Sequence, residues 1–247
     1  MATPSRSYKA RGVVLRARNL GEADRILTLF TLEHGKVDGV AKGVRRGKSR
    51  VGGRLEFGNE VVLTLGRGRS LDVITGAEIL HEHWRALVQP ERFGTATLVA
   101  EMIDAFCEPE LALPEIYDLL VGVLAAVAAS SAPALLMPRF SLRLLDALGL
   151  GLPLDMCVRC GGSLDDERAW LDAEAGGLID ENCRERWRTL PELDAADLEN
   201  LRAIAAPRGR GAALLARPRV VKAVESLIAH HLGRRPKAAA ASGELGA

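Results

Sequence analysis

The sequence predicts an α+β fold: an N-terminal five-stranded OB-fold β-barrel, followed by an α-helical domain with a zinc-ribbon-like insertion. Three observations predict it. Short runs rich in β-forming residues, separated by turn signals, fill the first 80 residues. Past Trp84 the apolar residues recur with a period of 3.6. Between the helical segments, Cys157 and Cys160 stand two residues apart beside a Gly161-Gly162 pair.

In chain order, the first strand is Gly12 to Leu20, with Val13, Leu15 and Ala17 facing inward and Arg16 and Arg18 outward. Arg25 to Thr31 follows and ends at the turn His34-Gly35-Lys36. Lys36 to Val44, Val61 to Gly66 and Ser70 to Leu80 complete the set, which suits a small OB-type barrel. The helical part begins with Glu91 to Cys107, whose stripe is Phe93, Ala96, Thr97, Ala100, Ile103 and Cys107. Pro114 opens a second helix, and Pro138 a third that stops at Gly149. Asp194 to Ala205 and Arg217 to Leu232 are the last two. The expected division is 1–82 for the OB-fold barrel, 83–152 and 191–235 for the two parts of a helical domain, and 153–190 for the insertion. Residues 236–247 are expected to form a disordered tail.

Charge is distributed unevenly. Residues 1–80 hold 15 Lys+Arg against 8 Asp+Glu, whereas residues 81–247 hold 18 against 24, so a total of +1 hides a basic front on an acidic body. The basic excess peaks in Ala41 to Arg54, AKGVRRGKSRVGGR, which has six cations, four glycines and no acid. Such a segment reads as a basic loop that meets a polyanion, or as a solvated charged loop; the imbalance of its surroundings favours nucleic acid. Lys42, Arg45, Arg46, Lys48, Arg50 and Arg54 are the candidate phosphate contacts, extended by Arg16, Arg18 and Arg25. Tyr8, Phe30 and Phe57 are the aromatics of the barrel region, so backbone tracking is expected more than base stacking.

The cysteines read C-x2-C…D-x2-C, with Cys157, Cys160, Asp180 and Cys183 as candidate metal ligands and 19 residues between Cys160 and Asp180. Two readings stand: a structural Zn²⁺ with a carboxylate as fourth ligand, or a ribbon held by packing without metal. A catalytic zinc lacks support, since no histidine lies between His83 and His230 and there is no HExxH signature. Cys107, alone on an apolar helix face, is expected in the core. The glycines do not form a P-loop, Gly66-Arg67-Gly68 is a hairpin turn, and Glu22 and Asp24 sit beside Arg25 and not as an acid/base pair. His81 and His83 read as surface groups at a domain junction. No pattern argues for an enzyme. No signal peptide or membrane span is evident, so a cytoplasmic protein is expected.

The series Gly21-Glu22-Ala23-Asp24-Arg25-Ile26, His34-Gly35-Lys36 and Ala41-Lys42-Gly43-Val44-Arg45-Arg46 resembles the bacterial RecO recombination mediator family in order and spacing. Tyr8-Lys9, Pro90-Glu91-Arg92-Phe93, the Cys157 insertion and Leu232-Gly233-Arg234-Arg235-Pro236 continue the likeness over nearly the whole chain. The resemblance implies an OB-fold, a helical body and a ribbon that some members build with four cysteines. It also implies a nucleoid-associated protein that binds single- and double-stranded DNA and anneals complementary strands. With RecR, such a protein helps load RecA onto DNA covered by single-strand-binding protein. An adaptor that docks acidic protein tails, with little DNA affinity of its own, is the alternative; a metal-dependent nuclease is opposed by the absence of clustered carboxylates.

Overall fold

The computed structural model describes residues 7–46, 49, 51–165, 167–206, 216–234 and 236. The predicted tail therefore lies outside the described residues apart from Pro236. The described residues form two compact units, one within residues 1–130 and the other within residues 131–240.

The first unit opens with strands β1 (Ser7–Leu20), β2 (Asp24–Thr31), β3 (Gly35–Ala41), β4 (Glu60–Gly66) and β5 (Asp72–His81). They close into a barrel in the order β1-β2-β3-β5-β4, the OB arrangement. Long β1 makes closure possible. Its first half pairs with β4, from Ser7↔Gly66 to Val13↔Glu60, and its second half with β2, from Gly12↔Thr31 to Leu20↔Asp24. The parallel β3–β5 contact, Gly39↔Asp72 to Ala41↔Ile74, seals the other side. Ala10, Val14, Leu27, Leu29, Leu55, Val61, Leu63, Leu65 and Ile74 fill the interior, as alternating strands that bury one face require.

A bulge between Val14 and Arg16 corrects the predicted alternation of β1. Val13, Val14 and Leu15 are all buried, and Ala17 is exposed with Arg16 and Arg18. One extra residue shifts the later side chains to the opposite face and sets Ala17 opposite core Leu27, but from Arg16 to Leu20 the strand is exposed on both faces. The β2–β3 turn depends on Gly35: its φ is +63°, and a Cβ there would fall 2.0 Å from the Leu111 carbonyl oxygen.

Three helices complete this unit: α1 (Trp84–Leu87), α2 (Pro90–Phe106) and α3 (Pro114–Ala129). Proline opens the latter two, where its missing N–H costs nothing. The α2 stripe differs from the prediction. Thr95, Ala96, Val99, Ala100, Met102 and Ile103 are buried, while Phe93 is 42% exposed and Thr97 is half-buried. The helix presents a broad apolar arc, so its contact line could not be read from one row of residues. Cys107 is 3% exposed, as expected of a core thiol, and burial raises its pKa to about 11.

At the end of β5, His81 is exposed and His83 half-buried, and His81 meets a buried carboxylate. The Glu60 carboxylate is 1% exposed and accepts hydrogen bonds from Arg11 Nη2 at 3.1 Å and the Tyr117 hydroxyl at 2.8 Å. His81 Nδ1 lies 2.6 Å from its other oxygen, and the His83 ring stacks on His81.

The second unit contains α4 (Met137–Ala147), a sheet of β6 (Arg168–Asp172), β7 (Gly177–Ile179) and β8 (Glu192–Asp194) in the order β7-β6-β8, then α5 (Ala195–Ala205) and α6 (Pro218–Leu232). Asp194 caps α5 in a reciprocal box with Asp197. Val220, Ala223, Val224, Leu227 and Ile228 form the buried face of α6, which Gly233 ends in a left-handed conformation. Among the described residues, no helix is long and apolar enough to cross a membrane.

Candidate nucleic-acid interface and metal centre

The basic loop leaves the barrel directly after β3. Its first turn is fastened to the β1–β2 connection: Asp24 Oδ1 accepts the Gly43 N–H at 2.7 Å, and the Arg45 N–H reaches the Ala23 carbonyl at 2.9 Å. Arg45 Nη1 also donates to the Gly21 carbonyl at 3.0 Å. The far end is fastened too. Ser49 Oγ accepts from the Gly52 N–H at 3.2 Å, a short 3-10 turn spans Gly52–Arg54, and Arg54 Nη1 donates to the Ala77 carbonyl at 2.8 Å.

The nine candidate cations therefore divide into groups. Lys42, Arg46 and Arg18 are exposed and have no partner among the described residues, while Arg45 and Arg54 engage carbonyl oxygens only. Arg16 pairs with Asp104, and Arg25 with Glu56 at 3.1 Å. Lys48 and Arg50 lie outside the described residues. The Arg16–Asp104 pair is open to water, with the guanidinium side chain 61% exposed, so a phosphate can replace the carboxylate at little cost. Arg25 and Glu56 are each 27% exposed, and Arg25 is more firmly engaged inside the protein.

A groove of about 550 Å³ crosses the outer face of β1, β2 and β3 beside the β4–β5 turn. Arg16, Arg18, Lys36, Arg67 and Arg69 line it, with Asp38, Asp72, Asp104 and Glu110 among them. Arg67 stacks over the Tyr8 ring at 4.5 Å, and Arg69 is exposed without a partner among the described residues. Arg67 and Arg69 were not foreseen, because the Arg-Gly-Arg segment read only as a hairpin turn. Its signal was topological: in an OB barrel the β4–β5 turn borders the binding face.

The insertion brings Cys157, Cys160, Asp180 and Cys183 together, their four ligand atoms all within 4.8 Å of one another. Two turns present them. In the first, the Gly161 N–H bonds the Cys157 carbonyl at 2.8 Å, and the Gly162 N–H faces Cys160 Sγ at 3.4 Å. In the second, Asp180 Oδ1 accepts the Cys183 N–H at 2.8 Å, which leaves Oδ2 directed at the Cys160 thiol at 3.2 Å. One carboxylate oxygen thus holds the turn and the other takes the ligand position.

Burial alone raises the Cys157 pKa, but backbone amide donors outweigh it and lower the value. Burial and the neighbouring thiols push Cys183 up to about 12. Three thiols and one carboxylate oxygen, converging on a point, can hold a metal ion. The set suits a closed tetrahedral Zn²⁺ site of structural type. Beneath it, fully buried Asp172 accepts from Arg159 Nη2 at 2.8 Å and Arg188 Nη1 at 3.0 Å.

Comparison with known proteins agrees with this architecture. The family model described as recombination protein O N terminal matches residues 5–83, and that described as recombination protein O C terminal matches residues 88–240. The DNA repair protein RecO of a Nocardioides species is 38% identical over 181 residues, covering 72% of this chain and 74% of that protein. That of Bifidobacterium adolescentis is 41% identical over 177 residues, covering 70% and 72%. The Frankia casuarinae protein of the same name is 40% identical over 183 residues, covering 72% and 73%.

Proposed function

This chain belongs to the recombination protein O family of DNA repair proteins, and from that premise we propose that it is a non-enzymatic DNA-binding protein whose barrel grips sugar-phosphate backbones. In this reading it binds single- and double-stranded DNA and anneals complementary strands. With RecR it helps load RecA onto DNA covered by single-strand-binding protein, in the cytoplasm and in association with the nucleoid.

One observation carries the reading: the described cations of the loop after β3 are not sealed by carboxylates. Lys42 and Arg46 project without partners, and Arg45 and Arg54 touch only backbone carbonyls, so their charge remains available to phosphates. Arg18, Arg67 and Arg69 continue the positive line along the groove, although the acids between them temper it. Cations of this kind release counterions on binding and give affinity with little sequence preference. That suits a protein that must hold two strands while their bases pair. A bound Zn²⁺ would serve as a structural cross-link between the two turns that carry Cys157, Cys160, Asp180 and Cys183.

The test is binding to bare single-stranded DNA across a salt series, with the six loop cations replaced by Gln in a second protein. A steep salt slope that flattens in the variant supports the reading. A shallow slope in the unaltered chain, with binding to acidic peptides instead, would favour an adaptor for acidic tails.

A further inference from the structure

The second unit exposes an indole ring whose surroundings are those of a base-stacking platform. Trp187 is 80% exposed, the highest value among its large apolar residues, and no ring or cation contacts it among the described residues. The backbone that carries it is nevertheless anchored. The Arg188 N–H bonds the Glu185 carbonyl at 2.9 Å, closing a turn with Arg186 and Trp187 at its apex. Arg188 pins the end of that turn, reaching buried Asp172 at 3.0 Å and Glu174 at 2.8 Å. An isolated exposed aliphatic side chain needs no explanation, but an indole held out on an anchored turn is pre-organised for a flat partner.

The charges around the ring identify that partner. Arg184 lies over the buried Trp170 ring at 5.0 Å, and Arg159 and Arg188 are both committed to Asp172. Arg186 remains exposed and without a partner among the described residues, next in sequence to Trp187. The turn thus presents one open π face and one open cation, matching a ligand that alternates flat bases with phosphates. The barrel does not meet this need. Phe30 is fully buried, Tyr8 is held by Asp72 and covered by Arg67, and Phe57 packs edge-on against Phe93.

We propose that Trp187 and Arg186 form a single-stranded nucleic-acid contact on the ribbon, with Trp187 stacking on an unpaired base and Arg186 meeting the adjoining phosphate. The inference deepens the DNA-binding reading and rests on it. It adds discrimination of unpaired from paired strands, since a base within a duplex has no free face to offer.

The test uses the full chain and follows tryptophan emission during titration with oligo-dT, an abasic oligomer of equal length and an acidic peptide containing Phe. Oligo-dT is expected to quench emission. W187A is expected to weaken oligo-dT binding about fivefold or more while leaving the abasic oligomer unchanged. W187F is expected to restore the affinity without the quench, and an unchanged melting temperature for both variants establishes that they fold. Unaltered oligo-dT affinity in W187A overturns the proposal, as does an equal loss for the abasic oligomer. Peptide binding that depends on Trp187, without an oligo-dT response, overturns it in favour of a protein partner. The barrel reading fails separately, through K42Q/R45Q/R46Q keeping full affinity for the abasic oligomer.

Discussion

The Tyr117 hydroxyl of α3 donates to Glu60 Oε1 at 2.8 Å, tying the helical part of the first unit to strand β4 through a carboxylate that is 1% exposed. Burial raises the Glu60 pKa, but the hydrogen bonds from His81, Tyr117 and Arg11 outweigh it, and the net displacement is downward from 4.5. A lowered carboxylate pKa contributes stability that is present above its ordinary value and lost as pH falls through the lowered one. The first unit should therefore lose stability below about pH 4.5. Glu60→Gln leaves Arg11 facing a neutral amide and is expected to cost about 2–4 kcal/mol at neutral pH. It should also flatten the acid limb of thermal melts measured between pH 3 and 7.

Replacing the six loop cations by Gln should reduce the slope of log Kd against log salt. If four of them meet phosphates, the slope on single strands falls by roughly 3, at about 0.7 per contact. R67Q/R69Q should remove a further 1.4 or so. Arg25→Gln should change it least of the candidates, because that guanidinium is engaged with Glu56. Electrophoretic shifts at several salt concentrations measure all three.

Asp180 offers the fourth ligand oxygen of the cluster that could hold a metal. Asp180→Ala removes both the ligand oxygen and the acceptor for the Cys183 N–H, and is expected to abolish zinc retention on dialysis, read by elemental analysis. Asp180→Cys supplies a fourth thiolate, and should retain zinc against a higher chelator concentration than the unaltered chain.

Thiol labelling should separate the cysteines into two classes. Cys107, at 3% exposure and with a pKa raised to about 11, is expected to stay unmodified until the chain unfolds. Cys160 is exposed and should react first, with zinc added beforehand protecting Cys157, Cys160 and Cys183 together. Mass spectrometry of native and denatured samples distinguishes these outcomes.

Local chemistry made much of this molecule legible from its sequence. Proline at the first helical positions of α3 and α4, and the register of C-x2-C with D-x2-C, act over a few residues. Relations between distant residues were hidden. The bulge after Val14 depends on how β1 serves two neighbours, and Ala17, although paired with core Leu27, is exposed because β1 is open on both faces from Arg16 to Leu20. Glu56 and Asp104, which engage Arg25 and Arg16, lie 31 and 88 residues away, so no charge count could say which cations are occupied. The Tyr117–Glu60 bond spans 57 residues and was hidden likewise. The candidate metal ligands were found because spacing alone encodes them, whereas the free cations had to be found by subtraction.

Arg159 belongs to the turn of Cys157 and Cys160 and Arg188 follows the turn of Asp180 and Cys183, and both clasp Asp172. With a metal bound, the ribbon would be fastened twice, by the sulfur cluster and by this ionic clamp. Chelators and oxidants attack only the first fastening. Acid undoes the ionic clamp only below the usual carboxylate range: burial disfavours the Asp172 charge, but the two guanidiniums and the Ala175 amide hold its pKa down. A ribbon without metal should consequently remain folded and able to take one up.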